Sequence, residues 1–427
     1  KVLRPQKTSL PNGIRLLVTP LPHTMAVSIA FMVGVGSRYE SDPEGGASHF
    51  VEHVVFKGTA KWPTAKDIAS SVEGVGGLIN GSTSQEMTSY WLKLPKDHWK
   101  LGFELLCDLL LNPLFREEDV EKERAVILEE LRGMKDSPED WVFVMAANIL
   151  WPNHPLGREI IGTKESLQAL SKEKLLDFRA RHYTPKNVVV SIAGAITAEE
   201  ALEAAERYLL TWEGSSPPSF IPAPAPSDGP IQAYESRRVE QTHLVLTWYG
   251  LSLNHPDRFA LSILNALLGE GMSSRLFTEI REKRGLAYNI SSYLEFFTDS
   301  GSMGVAAGIS PNRLEETLKA IIEQLALLKT QEVPEEELTK AKEFVKGRLL
   351  LQLEDSLSLA FWYGRQELLL GRTLTPTEVI QAIDAVTSQD VKRVAEELIK
   401  SSRMKLALIG PYRKEKSWIR TVESLGS

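Results

Sequence analysis

The 427-residue chain carries one succession of secondary-structure signals written twice, and this repetition limits the folds open to it. In the first half a hairpin over residues 8–19, turning at Asn12-Gly13, leads into a strand over 26–35 and a helix that contains His49. Two strands within 78–94, a helix over 97–111, an acidic-start helix over 117–134, further helices and a strand over 187–193 follow. Residues 213–230 (EGSSPPSFIPAPAPSDGP) have no periodicity and read as an extended linker. Beyond it the order returns: a strand over 243–248, an apolar helix over 258–268, a helix over 273–283, and strands over 288–297 and 301–307. Helices over 312–328 and 334–353 and a strand over 405–409 close the second half. The two closing strands each end on a glycine, Gly194 and Gly410. This pattern predicts an α+β chain of two homologous α/β-sandwich domains, residues 1–212 and 231–427, born of an internal duplication.

Composition narrows the function. With 43% hydrophobic and 25% charged residues the chain is an ordinary globular one, and its length exceeds what one core organises. A net charge of −7 offers nothing to track a phosphate backbone, so nucleic acid is not an expected partner. The longest apolar run, residues 25–36, is too short to span a bilayer and reads as a buried strand. The single cysteine, Cys107, excludes a disulfide within the chain and reads as a small core residue. A reducing compartment is expected, the cytoplasm or an organelle matrix. The chain begins at Lys1 without a methionine, as it would if preceding residues had been removed.

The chemistry gathers in Ser48-His49-Phe50-Val51-Glu52-His53-Val54-Val55-Phe56. On a helix, His49 and His53 lie about 40° apart and Glu52 about 60° to the other side of His49. Apolar residues fill the rest of the circumference, the mark of a buried helix. Three ionisable groups on one arc of such a helix need a partner. Backbone-bonded core histidines are the plain alternative; a metal is the simplest partner, since imidazoles at i and i+4 can share one zinc. In the acidic helix, Val120, Ile127, Leu131 and Met134 form an apolar stripe, and helical phase puts Glu123 and Glu130 within the buried sector and Glu129 in solvent. Taken alone, such a pair reads more readily as boundary carboxylates salt-bridged to Lys or Arg. The second half, however, has Ala260, Leu261, Ser262, Ile263 and Leu264 in place of the histidine arc. It has Ala341 and Arg348 in place of Glu123 and Glu130, so the scaffold does without these groups.

A catalytic zinc takes three protein ligands and an open position. His49, His53 and Glu130 form a His₂Glu set, and Glu123 stands behind a ligand or the water. Glu52 is placed to take a proton from the zinc-bound water and to return it to a leaving amine.

HFVEH (His49–His53) is the inverted zinc motif H-x-x-E-H. Through it the chain resembles the pitrilysin-type metallopeptidases, which include insulin-degrading enzyme and the mitochondrial processing peptidases. The resemblance extends through GSRYE (36–40), HFVEHVVFKGT (49–59), ERAVILEEL (123–131), HPLGREIIGT (154–163), YTPKNVVV (183–190) and GMSSRLFTEIREKRGLAY (271–288). It implies zinc ligands His49, His53 and Glu130, the general base Glu52, and Glu123 as a second acidic residue on its helix. Arg281 and Tyr288 match a pair that binds substrate backbone, and LINGST (78–83), with Asn80, matches an edge strand that pairs with extended substrate. Gly81 follows Asn80 where the family usually has alanine. The size matches the short branch, in which two chains close around a chamber, so the resemblance implies a zinc endopeptidase of short or unfolded polypeptides. A homodimer is expected, since this chain holds both the zinc set and the Arg/Tyr pair; pairing with a sibling chain is the other arrangement. Non-catalytic and regulatory subunits also occur in the family, and the intact zinc set sets this chain apart from them.

Overall fold

A computed structural model describes residues 4–426. β1 (Gln6–Ser9), β2 (Arg15–Pro20), β3 (Ala26–Val33), β4 (Leu78–Thr83), β5 (Thr88–Pro95) and β6 (Val188–Gly194) form a sheet of order β1-β2-β6-β3-β5-β4. β2 and β6 are parallel and the other pairs antiparallel. The β1–β2 turn uses Gly13 at φ +103°, left-handed backbone that a side chain would strain. β6 (VVVSIAG) is buried along its whole length, as a strand covered on both faces must be.

β7 (Ile231–Ser236), β8 (Thr242–Tyr249), β9 (Ala287–Phe296), β10 (Gly301–Ile309) and β11 (Lys405–Gly410) form a second sheet of order β7-β11-β8-β10-β9. Position by position this repeats β2-β6-β3-β5-β4, including the one parallel pair, here β7 with β11. The expected α+β duplication is thus present as two mixed sheets. β7 was not visible as a strand from sequence. It is a six-residue edge strand with only intermediate or exposed residues, so it lacks an apolar face to read.

Each sheet anchors a compact unit, and the units are not contiguous in sequence. Among the described residues one comprises 4–132, 158–221 and 350–376; the other comprises 133–157, 222–349 and 377–426. Beside the expected division at 213–230, each unit keeps most of one half and takes in a helix from the other. In the first unit the helix Ser356–Leu370 lays Leu359, Ala360 and Tyr363 on Leu17, Val189 and Ala193. Its buried Glu367 lies 2.6 Å from Lys7 Nζ and 3.6 Å from Arg15 Nη1. In the second unit the helix Pro138–Leu150 lays Val142 and Ala146 on Val245, Ala407 and Ile409. Cys107 lies buried in the helix Trp99–Leu111, where burial pushes its thiol pKa up, as suits a core residue. No described helix is long and apolar enough to cross a membrane.

The first unit also fixes the loop that feeds the histidine helix. The Arg38 guanidinium lies 3.7 Å over the Phe220 ring, and Tyr39 meets Phe220 and His182 edge-on at 5.6 and 5.8 Å. His182 is buried, and neither ring nitrogen has a hydrogen-bond partner among the described residues. Burial and then the Arg181 charge push its pKa from an ordinary 6.5 down to about 4. The unfolded chain therefore takes up this proton first as pH falls, so native stability is lost between those two values. A His182→Phe variant is expected to lose less stability over that window, read as the difference in urea midpoints at pH 7 and at pH 4.5.

Candidate metal centre

The helix Ala47–Val55 starts from a negative anchor. The Glu40 carboxylate accepts hydrogen bonds from the backbone N–H groups of Gly46 (2.9 Å) and Ser48 (2.8 Å). These are donors that a helix N-terminus leaves without an internal partner. Gly46 precedes the helix at φ +91°, and a Cβ there would lie 2.3 Å from the Ile161 carbonyl oxygen. Glycine is therefore required at this entry. Phe50, Val51, Val54 and Val55 are fully buried, and the helix's polar arc is left as the part that meets other chemistry.

His49 Nε2 and His53 Nε2 are 3.1 Å apart. Glu130 Oε2 lies 3.6 Å from each of them. A tetrahedral zinc with bonds of about 2.0–2.2 Å holds its ligand atoms about 3.3–3.6 Å apart, so the spacing of the three atoms is close to that of one such ion. His49 Nδ1 is buried without a hydrogen-bond partner among the described residues. His53 Nδ1 lies 2.9 Å from Glu123 Oε2, the contact that fixes a ring tautomer with Nε2 free to bind a cation. Lys57 Nζ meets Glu123 Oε1 at 2.7 Å. Burial would raise the Glu123 pKa, but hydrogen bonds from His53 and Lys57 outweigh it and hold the carboxyl below its ordinary range.

The histidines are pushed in opposite directions. Burial and then the charge of His53 lower His49 to about 4. Burial also works against the His53 cation, yet the surrounding carboxylates, Glu123 first, raise its pKa. Glu52 has its pKa raised, chiefly by burial, against the opposing charge of His53. Its Oε2 accepts from Thr83 Oγ1 at 3.3 Å. One ligand atom from each of His49, Glu52 and His53 falls within a 4.8 Å group.

Helical phase placed Glu130 in the buried sector, and here the structure differs. The acidic helix Glu117–Asp136 buries Val120, Glu123, Ile127 and Leu131, while the Glu130 side chain is 45% exposed. The buried stripe is narrower than the phase argument allowed and ends between Glu123 and Glu130. Glu129 points to solvent, where it pairs with Arg132. Asn80 sits on β4, the terminal strand of its sheet, exposed and with Oδ1 accepting from Gly81 N at 2.8 Å. Arg281 and Tyr288 belong to the second unit. Arg281 lies on the π-helical turn Phe277–Lys283 with its guanidinium 4.6 Å over Phe277. Tyr288 is exposed near the start of the edge strand β9, its hydroxyl 3.2 Å from Ser310 Oγ. Sequence reasoning missed the supporting roles of Glu40, Lys57 and Thr83. Only Lys57, four residues after His53 and just past the end of its helix, left a readable signal.

Comparison with known proteins covers nearly the whole chain. Residues 15–164 match the family profile "Insulinase (Peptidase family M16)", and residues 169–345 match "Peptidase M16 inactive domain". An uncharacterized zinc protease of Mycobacterium leprae is 38% identical, covering 96% of this chain and 93% of its own. One from Bacillus subtilis is 35% identical, covering 94% and 97%. Among solved structures, a protease from Helicobacter pylori is similar with a TM-score of 0.92 at 25% identity, covering 96% of this chain and all of its own. A chain of complex III2 from Candida albicans shares the fold at a TM-score of 0.87 and 19% identity, covering 99% of this chain and all of its own.

The Glu40 anchor is open to direct measurement. Glu40→Ala leaves two helix-terminal N–H groups without their acceptor and is expected to cost about 1–3 kcal/mol, seen as a lowered thermal midpoint.

Proposed function

Because the chain belongs to the M16 (insulinase) peptidase family, we propose that it is a zinc-dependent endopeptidase of short or unfolded polypeptides. The observation that carries this reading is the triangle of His49 Nε2, His53 Nε2 and Glu130 Oε2, with the Glu52 carboxylate beside it. The zinc proteases among its relatives point to the same ion.

His49, His53 and Glu130 would hold the ion. When bound, zinc polarises a peptide carbonyl and makes a water acidic enough to lose a proton near neutral pH. Glu52 takes that proton and delivers it to the leaving amine nitrogen. Burial raises its proton affinity, which suits a group that must both accept and give a proton. Glu123 keeps the His53 ring in place, and its charge is matched by Lys57. β4 presents a free edge to which an extended substrate can add as a strand, with Asn80 along it. Strand addition needs an extended segment whose backbone groups are unpaired, and short or unfolded chains supply such segments most readily. Arg281 and Tyr288 are the donors we assign to substrate backbone. We further propose a homodimer closed around a chamber, in which the Arg281/Tyr288 pair of one chain serves the zinc of its partner.

Bound zinc and hydrolysis of a quenched peptide library report on the chemistry together. Wild-type protein is expected to carry one zinc per chain and to lose activity on chelation. Glu52→Gln should keep the metal while losing about 10²–10⁴-fold in rate; full activity in that variant would exclude Glu52 as the base. Glu123→Gln is expected to weaken zinc binding by about 10–100-fold in competition with a chelating dye. For the dimer, neither Glu52→Gln nor Tyr288→Phe protein alone should be active, whereas their mixture should regain activity. A mixture that stays inactive while its chains exchange would exclude service across the dimer.

A further inference from the structure

β4 does more than offer a free edge. Its residues alternate: Leu78, Asn80 and Ser82 are exposed, while Ile79, Gly81 and Thr83 are half-buried. The half-buried face meets Glu52. Thr83 Oγ1 donates to Glu52 Oε2 at 3.3 Å. Two residues earlier, a Cβ on residue 81 would stand 2.9 Å from Glu52 Oε1 and 2.8 Å from Phe56 Cε2. Contact this close is rare for a real Cβ, so Gly81 lets the strand backbone lie directly on the carboxylate. The strand itself is held from the other side. Gly81 pairs with Tyr90 and Thr83 with Thr88 across the β4–β5 ladder, and Ser82 Oγ lies 2.8 Å from Ser89 Oγ.

We propose that Thr83 is a positioning residue for the general base. Its hydroxyl fixes one oxygen of Glu52, and Gly81 sets how close the other lies to the strand. The strand that receives substrate and the strand that aims the base are then one element, and they cannot move apart. This inference rests on Glu52 being the base. It differs from the edge-strand reading, because the hydroxyl of Thr83 acts on the enzyme's own carboxylate and not on the peptide. Neither the histidine spacing nor the phase of the acidic helix requires it.

Thr83→Val keeps the shape and the β-branch and removes the hydroxyl; Thr83→Ser keeps the hydroxyl. Peptide hydrolysis by wild type, these two variants and Glu52→Gln, with bound zinc and thermal midpoints measured alongside, tests the proposal. Thr83→Val is expected to lower kcat about tenfold with KM within about twofold and zinc content unchanged, while Thr83→Ser restores most of the rate. A crystal structure of Thr83→Val should show the Glu52 carboxylate displaced. Thr83→Val with wild-type kcat, Thr83→Ser as slow as Thr83→Val, or a loss confined to KM would each overturn the proposal while leaving Glu52 as base. Glu52→Gln with full activity would overturn the base assignment itself, and the role of Thr83 with it.

Discussion

Desolvation of one polar arc is the constraint on which the rest of the first unit depends. His49 and Glu52 are held almost out of water on a helix whose other faces are fully buried. A charge in such a place is costly unless it is paired, and the neighbours divide the pairing among them. Glu123 faces His53 and Lys57 together, and that doubly paired carboxylate is the one whose pKa falls despite burial. Glu52, opposed by one cation and one hydroxyl, keeps a raised pKa. Two glutamates within reach of one histidine thus acquire opposite tendencies, one to stay ionised and one to accept a proton.

The helix can bear this arc because its own ends are secured elsewhere. Glu40 holds the N-terminus, and Gly46 makes an entry that no side chain would permit. The loop before Glu40 is in turn pinned by Phe220 on Arg38 and Tyr39. Residue 220 lies in the Pro-rich segment that looks in sequence like a passive tether. In the structure Phe220 is packed against the loop that leads to the candidate metal centre, so the first part of the linker contributes to the architecture of the first unit.

Much of this was legible in the sequence, and what was not has a physical reason. Periodicity identifies which face of an element is apolar, and so the repeated succession of elements and the buried side of Glu123 could be anticipated. Periodicity does not say which sheet an apolar face will meet. Nothing in Ser356–Leu370 or Pro138–Leu150 marks them as packing on the sheet drawn mainly from the other half of the chain. Glu130 shows the same limit at the scale of one residue. A phase angle of about −20° from Glu123 looks buried, yet the packing stripe through Val120, Ile127 and Leu131 runs to the other side and leaves Glu130 half in solvent. The contact of Thr83 with Glu52 joins residues 31 apart on a strand and a helix, a separation at which no local pattern operates.

The second copy of the fold shows what the scaffold needs when the chemistry is taken away. Its strand order is unchanged, but Ala260, Leu261, Ile263 and Leu264 are buried where the first copy has its polar arc, and Ala341 is buried at the counterpart of Glu123. Apolar side chains there need no anchoring network, and none of the Glu123–His53–Lys57 type is required of that helix pair. The network in the first unit is therefore not a price of the fold; it exists because ionisable groups were kept on a helix that packs equally well without them. Glu130 then completes the logic from the exposed side. As the proposed third ligand, Glu130 would leave the centre open on its half-exposed side, while the buried groups behind it hold the rest of the geometry still.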